Sequence, residues 1–289
     1  MADYKIITDV TCDLPSDIIE KNDLIVMPMQ YSIGGKNYTN YADFREQSIE
    51  DFYKEMKNGA ETHTVQLNSE TYIKTYKEYL DQGFDILGVI FSSGLSGSFN
   101  SCRLACEELR EEYPDRKIEI IDTLAASTGE GLIALQACRN KKNGLTLETN
   151  KRNLEEFKLH VSHWFTVSDL EYLRRGGRVS NTAAFVGNAL SIKPVLHVDD
   201  EGHLIPKYKK IGRKSSIREI VNQYKKTVDK DYPTVIITHA MCEEDAMYLK
   251  KLVEKEYNPK EIIISNIGTV IGAHSGPGTL ALFFKSTYR

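Results

Sequence analysis

Asp85-Ile86-Leu87-Gly88-Val89-Ile90-Phe91-Ser92-Ser93-Gly94-Leu95-Ser96-Gly97-Ser98-Phe99-Asn100-Ser101 decides how this chain folds. Residues 86–91 are a short apolar run rich in β-branched side chains, which reads as a buried strand of a parallel sheet. Residues 92–97 are a Gly/Ser loop, and over residues 98–113 Leu104, Ala105 and Leu109 fall among polar positions in a helical pattern. A strand passing through a small-residue loop into a helix aims hydroxyls and free N–H groups outward from the carboxyl edge of a sheet. Such a site suits an anionic head group.

The same alternation continues on both sides of this stretch. Upstream, residues 4–8 read as a strand leading into Thr8-Asp9-Val10-Thr11-Cys12-Asp13-Leu14-Pro15, after which Asp13 or Ser16 caps a helix that Pro15 begins. Residues 24–33 read as one apolar run closed by Gly34-Gly35, and Ile49, Phe52, Tyr53 and Met56 recur at helical period. Residues 60–68 read as irregular and hydroxyl-rich, with Ser69 capping a helix that carries Tyr72, Ile73, Tyr76 and Leu80. Downstream come a strand over 117–121 ending at Asp122-Thr123, a helix over 127–139 and a helix over 150–160. Strand alternating with helix in this way predicts an α/β fold with a parallel, doubly wound sheet.

Beyond it, residues 161–167 are extended, and residues 194–198 and 204–209 flank Asp199-Asp200-Glu201-Gly202 as a hairpin. Helices near 215–228 and 243–256 alternate with strands at 234–239 and 261–265, and a glycine-rich tail leads into a last strand through Phe284. The expected division is residues 1–160, an N-terminal α/β domain with the serine loop, and residues 161–289, a C-terminal α/β domain.

A chain of 289 residues with 41% hydrophobic and 27% charged residues is globular in composition. A net charge of −4 and a pI near 6.0 argue against a dedicated nucleic-acid binder. No run of about 18 apolar residues predicts a membrane span, and Met1-Ala2-Asp3-Tyr4-Lys5 lacks the features of a secretory signal. The five cysteines are odd in number and form no CxxC, so a reducing, cytoplasmic setting is expected.

Several residues invite a chemical role. Ser92, Ser93, Ser96, Ser98 and Ser101 cluster at the sheet edge, where they serve equally as helix-cap and turn residues. Gly94-Leu95-Ser96-Gly97 misses a nucleophile elbow by one position, and no lysine completes a phosphate loop. His274, set between Gly272 and Gly276-Pro277-Gly278, stands where backbone can approach a ligand closely and can donate to a carboxylate or phosphate. Arg174, Arg175 and Arg178 around two glycines form either a solvated turn or an anion clamp. Lys207, Lys209, Lys210, Arg213 and Lys214 form a second basic run, either a solvated face or a docking face for an acidic partner. His160 and His163 fall on opposite faces of an extended chain and do not make a metal site, and Cys102 and Cys106 read as small buried helix residues.

Together these segments resemble the DegV family of fatty-acid-binding proteins, which includes the FakB-like subunits of bacterial fatty acid kinases. The resemblance runs nearly end to end. It is carried by Thr8-Asp9 with Asp13-Leu14-Pro15, by Ser92-Ser93-Gly94-Leu95-Ser96-Gly97-Ser98, and by Asp122-Thr123 with Ala126-Ser127. It continues in Leu170-Glu171-Tyr172-Leu173-Arg174-Arg175-Gly176-Gly177-Arg178-Val179-Ser180 and Ile271-Gly272-Ala273-His274-Ser275-Gly276-Pro277-Gly278-Thr279. The resemblance implies a second α/β domain with a mixed sheet and a long-chain fatty acid held between the domains. Thr64, Ser96 and His274 would meet its carboxylate, and Thr62, Ser93, Gly94, Arg178, Gly272 and Ala273 would supply further ligand or partner contacts. A fatty acid kinase catalytic subunit would then phosphorylate the carboxylate to an acyl phosphate, with no turnover by the binding protein alone. No cofactor, metal, nucleic acid or stable membrane insertion is implied. Thr64-Val65-Gln66-Leu67-Asn68 departs from the family's usual Thr-Ser-Gln-Pro-Ser, which leaves Thr62 and Thr64 as alternatives for the binding threonine.

Two other readings of the residues stay open at this level. Ser96 and His274 are the makings of an acyl hydrolase, which needs a third carboxylate group and an oxyanion hole. The Gly/Ser loop also suits a phosphate or nucleotide.

Overall fold

The computed structural model describes residues 3–179 and 191–288; Ser180, which ends the arginine-rich motif, lies outside them, as do Met1 and Ala2. Up to residue 160 the strands are β1 (Tyr4–Asp9), β2 (Ile25–Met27), β3 (Met29–Ile33), β4 (Lys36–Asn40), β5 (Thr62–Thr64), β6 (Asp85–Ile90) and β7 (Ile118–Asp122). The helices are α1 (Ser16–Lys21), α2 (Ile49–Lys57), α3 (Ser69–Leu80), α4 (Ser98–Glu112), α5 (Thr128–Lys142) and α6 (Leu147–Phe157). Four strands form a parallel sheet in the order β2-β1-β6-β7. β6 is buried at every position, as a strand covered on both faces must be. Tyr72, Tyr76, Cys102 and Leu109 of α3 and α4 cover one face. Leu132, Ile133, Leu135 and Leu154 of α5 and α6 cover the other, so the sheet is doubly wound.

Residues 24–33 do not form one strand. Pro28 has no N–H to give a ladder, and there the chain leaves the parallel sheet. β2 remains in it, while β3 joins an antiparallel sheet in the order β4-β3-β5. β5 itself falls where an irregular segment was expected; its partner, β3, is distant in sequence and leaves no local signal. Helix starts also shift. Pro15 occupies the N-cap of α1 without a side-chain cap, and Asp13 instead closes a preceding 3-10 turn at φ 49°. Asn68 keeps the extended backbone that a cap requires, so it caps α3 rather than Ser69, accepting the Thr71 N–H. Thr146 caps α6, which begins at Leu147 rather than Asn150.

After residue 160 the strands are β8 (Val161–Thr166), β9 (Ile192–Val198), β10 (Leu204–Ile211), β11 (Thr234–His239), β12 (Glu261–Asn266) and β13 (Leu280–Lys285). They form a mixed sheet in the order β10-β9-β8-β13-β11-β12, with β11 and β12 parallel and the other neighbours antiparallel. Its helices are α7 (Glu171–Arg175), α8 (Arg213–Thr227), α9 (Glu243–Glu256) and α10 (Thr269–Ser275). The glycine-rich tail is thus not simply a loop before β13. It folds into α10, which ends where Gly276 turns out at φ 77°.

α5 packs against both large sheets. Two of its glycines make this possible. A Cβ at Gly131 would stand 2.7 Å from the Cys12 carbonyl oxygen, and one at Gly129 would stand 2.0 Å from His163 Nε2. Any side chain at Gly129 would wedge the helix off the mixed sheet, and one at Gly131 would wedge it off the turn that follows β1.

Candidate functional site

Side chains alternate along extended backbone, so Thr62, Thr64 and Gln66 share one side of the chain through β5. Each meets a different element. Thr62 Oγ1 donates to the Ala273 carbonyl (3.2 Å), Thr64 Oγ1 lies 2.8 Å from His274 Nε2, and Gln66 Oε1 accepts the Gly97 N–H (3.0 Å). His274 is carried on the last turn of α10. Gly176, after α7, leaves room for its ring, since a Cβ there would stand 2.5 Å from His274 Nδ1. In the serine loop, Ser96 Oγ bonds Ser98 Oγ (3.1 Å) and accepts the Ser98 N–H (3.2 Å).

Thr64, Gln66, Ser96, Ser98, Arg178 and His274 all line one cavity between the two large sheets. About 200 Å³ of it is open to the centre of a water-sized sphere, and its walls include Phe91, Leu95, Phe165, Leu173, Ile271 and Phe283. The structure therefore brings Thr64, Ser96 and His274 to one place, with Thr64 rather than Thr62 on the cavity. Ser93, Gly94, Gly272 and Ala273 lie outside its lining. The Ser93 N–H goes to Asp122, the Gly94 N–H to Ser92 Oγ, and Gly272 is buried against Tyr53. Ser96 and His274 each bond another hydroxyl rather than one another.

Among the arginines of the basic motif, Arg178 alone lines the cavity. Its Nε donates to the Leu95 carbonyl (3.1 Å) and its Nη1 to the Gly176 carbonyl, which ties the serine loop to the turn beside His274. Arg174 is held by both oxygens of Glu171, and Arg175 lies over the Tyr172 ring. In the second basic run, Lys210 pairs with Glu219 and Arg213 with Asp245. Burial, and then the Arg178 charge, press the His274 pKa down to about 4, so the ring is neutral at pH 7.

A second polar group lies on the same cavity wall; the sequence offered Thr8, Asp9, Asp13 and Ser127 as motif residues but gave them no chemical role. Asp9, Thr11 and Ser127 line it. Thr8 Oγ1 donates to Glu130 Oε1 (2.8 Å), and Thr11 Oγ1 lies 2.8 Å from Glu130 Oε2 while also bonding Asp9 Oδ1. The Thr11 N–H donates to the same Asp9 oxygen (2.9 Å). Ser127 Oγ and the Gly268 N–H donate to Asp13 (2.6 and 2.9 Å). Asp9 and Glu130 have no exposed surface. Burial raises the pKa of Asp9, burial and the Asp9 charge push Glu130 well up, and burial lifts Asp13 to about 8. Thr8 and Glu130 are far apart in sequence, so no local pattern announces their meeting. Gln66 had a signal: it stands two residues beyond Thr64, on the same side of extended chain.

Among the described residues, one grouping has three side chains of metal-ligand type, Asp199, Glu201 and His203. It is a turn at the surface, in which Asp199 Oδ1 accepts the Glu201 and His203 N–H groups. No helix among the described residues is long and apolar enough to cross a membrane.

A family model described as "Uncharacterised protein, DegV family" matches residues 3–287. A DegV domain-containing protein of Clostridium perfringens (strain 13 / Type A) is 40% identical over 285 residues, 98% of each chain. The solved structure of a DegV lipid-binding protein from Thermotoga maritima has 32% identity and a TM-score of 0.85, covering 99% of both chains. A stearic-acid-binding protein from Eubacterium ventriosum has 26% identity and a TM-score of 0.87, covering 97% of both.

Proposed function

The chain belongs to the DegV family, and on that premise we propose that it binds a long-chain fatty acid in the cavity between its two large sheets. The observation that carries this is the convergence of Thr64, Ser96 and His274, from three distant segments, on one cavity with apolar walls. Thr64, Ser96 and His274 hold the carboxylate; the walls hold the chain. Burial of each methylene contributes about 0.8 kcal/mol, so a chain of roughly sixteen carbons gains on the order of 10 kcal/mol before ordering costs. A carboxylate leaving water needs several donors to offset its desolvation, and two hydroxyls with an imidazole supply them. The site lies where residues 1–160 meet residues 161–289, the kind of junction where small-molecule sites commonly form.

The protein presents this carboxylate to a fatty acid kinase and turns nothing over alone. Val65, Gln66 and Gly97 are exposed beside the head-group donors, so that end of the cavity is the end near the surface. A carboxylate oxygen there attacks the terminal phosphorus of a nucleoside triphosphate held by the kinase, giving an acyl phosphate and releasing the diphosphate. The five free cysteines suit the reducing cytoplasm in which such a kinase works.

Mass spectrometry of lipid extracted from freshly purified protein tests the binding. A long-chain fatty acid is expected, and removing it should lower the melting temperature, because a ligand that binds only the folded state stabilises it. Lipid-free protein whose melting does not respond to added fatty acid would defeat the reading. Trapping of acyl phosphate by hydroxylamine, with kinase and nucleotide present, tests the presentation separately.

A further inference from the structure

β13 and the residue before it run the length of one cavity wall. Thr279 Oγ1 lies 2.9 Å from both the Ser275 and the Gly276 carbonyl oxygens, at the end of α10 that carries His274. Ala281 and Phe283 follow at alternate positions on one face, and all three residues line the cavity. A strand rises about 3.3 Å per residue, which sets Phe283 roughly 13 Å beyond Thr279, away from the head-group donors. On β8, Phe165 pairs with Ala281 and His163 with Phe283, and both line the cavity as well. The next pair on that face is Lys285 with Val161, and neither lines it. Val161 has no exposed surface, and Lys285 turns to Asp229. On these two strands the lining therefore ends at the row of Phe283 and His163. That row is braced. His163 Nδ1 lies 3.0 Å from the Val161 carbonyl oxygen, its ring meets the Phe283 ring edge to face at 5.3 Å, and α5 presses on it so closely that Gly129 has no room for a Cβ. The row above is open by contrast, because Ala281 sets one small side chain beside Phe165.

We propose that Phe283, braced by His163, is the floor of the cavity: it meets the methyl end of the acyl chain and sets the longest chain the protein takes. The inference rests on the lipid reading above. Up to the floor, each added methylene gains about fourfold in affinity. Past it, the chain must strain itself or the two rings, and the next longer acid of an even-numbered series should bind about 5- to 150-fold more weakly, the cost of overpacking. Ala281 is the matching open position, where a larger side chain raises the floor.

The test is competition among lauric, myristic, palmitic, stearic, arachidic and behenic acids for the protein loaded with a fluorescent fatty acid. On wild type the affinity should rise with length and then fall sharply. Phe283→Leu should move the tightest acid to a longer one, and Ala281→Val should move it to a shorter one. An unmoved optimum in both folded variants overturns the proposal, whatever happens to the overall affinity. A wild-type affinity that still rises at behenic acid also overturns it, because no floor then stands in the way. On wild type alone, the terminal methyl of the tightest acid, isotope-labelled, should show nuclear Overhauser contacts to the Phe283 and His163 ring protons; contacts to neither ring overturn the proposal, and this measurement decides the matter even if neither variant folds. Binding of none of the acids would overturn the lipid reading together with this one, whereas tight binding with an unmoved length profile overturns this one alone.

Discussion

Replacing Gly176 by alanine sets two effects of opposite sign against each other. Gly176 adopts φ −70° and ψ −10°, ordinary right-handed backbone. Alanine there costs no strain, and by restricting the unfolded chain it stabilises the fold by about 0.4–1 kcal/mol. The new methyl, however, would lie 2.5 Å from His274 Nδ1 and 3.3 Å from its Cγ. Both atoms belong to one rigid ring, so the whole imidazole must swing away. That breaks its 2.8 Å contact with Thr64 Oγ1. A bound carboxylate then lacks an aligned donor, at a cost of about 1–3 kcal/mol, or roughly 5- to 150-fold in affinity. Displacement of a fluorescent fatty acid measures the affinity, and thermal melting of delipidated protein measures the fold. Gly176→Ala should bind that much more weakly, while the lipid-free protein, which loses the Thr64 contact at about 0.5–1.5 kcal/mol and regains about 0.4–1 kcal/mol from the stiffer backbone, should melt close to wild type. Gly177→Ala is the control. Gly177 sits at φ +70° with nothing within 4 Å of an added Cβ, so alanine costs about 1–2 kcal/mol of stability through strain and leaves the ring alone. Wild-type affinity in Gly176→Ala would refute the claim that the position of this imidazole controls the site.

Ser96→Ala and His274→Ala should each weaken fatty-acid binding by about 1–3 kcal/mol without unfolding the protein, and the double variant should lose less than the sum, because both act on one charge; additive losses in the displacement assay would separate the two residues. In the lipid-free protein the His274 pKa is about 4, against an ordinary value of 6.5. The unfolded chain therefore takes up a proton first, and stability that is intact above pH 6.5 is lost as the pH falls towards 4, by at most about 3 kcal/mol. Asp13, raised to about 8, works in the opposite direction and gains stability as the pH falls through that value. The His274 effect is accordingly read as the difference in melting between wild type and His274→Asn across pH 7 to 4, and parallel curves would contradict it. Arg178→Ala should impair kinase-dependent acyl phosphate formation more than fatty-acid retention, since the guanidinium is bonded to two backbone carbonyls at the cavity; lipid loss with intact phosphorylation would reverse that assignment.

The parallel sheet was legible in the sequence because its central strand is apolar at nearly every position and helices alternate with its strands, although some of their starts shift by a few residues. The small sheet was not. β3 and β5 are short, and their pairing of Tyr31 with Thr64 is settled by chain that lies between them in sequence but beside them in space. Thr64, Ser96 and His274 could be named as candidates, but their meeting depends on α10, a helix of seven residues in which Gly272 argues against helix. Burial decides there: Val270 and Ala273 pack inward on different clusters. Asp9 stood in a quoted motif, but its grouping with Thr11 and Glu130 could not be read, for a different reason. Glu130 sits in α5 among apolar neighbours, and charge in such a place reads as surface until its partners from β1 are known.

The two glycines of α5 have a kinetic consequence. The turn at Cys12 presses on one side of the helix and His163 of β8 on the other, closer than any side chain at Gly131 or Gly129 would allow. The amides of α5 should then exchange with deuterium only when the whole molecule opens, and a bound lipid should slow them by the full factor by which it stabilises the protein. On the proposed reading, one acyl chain should replace another through the end of the cavity beside Val65 and Gly97, which are exposed. Occupancy can turn over there while the helix that joins the two sheets keeps its protons.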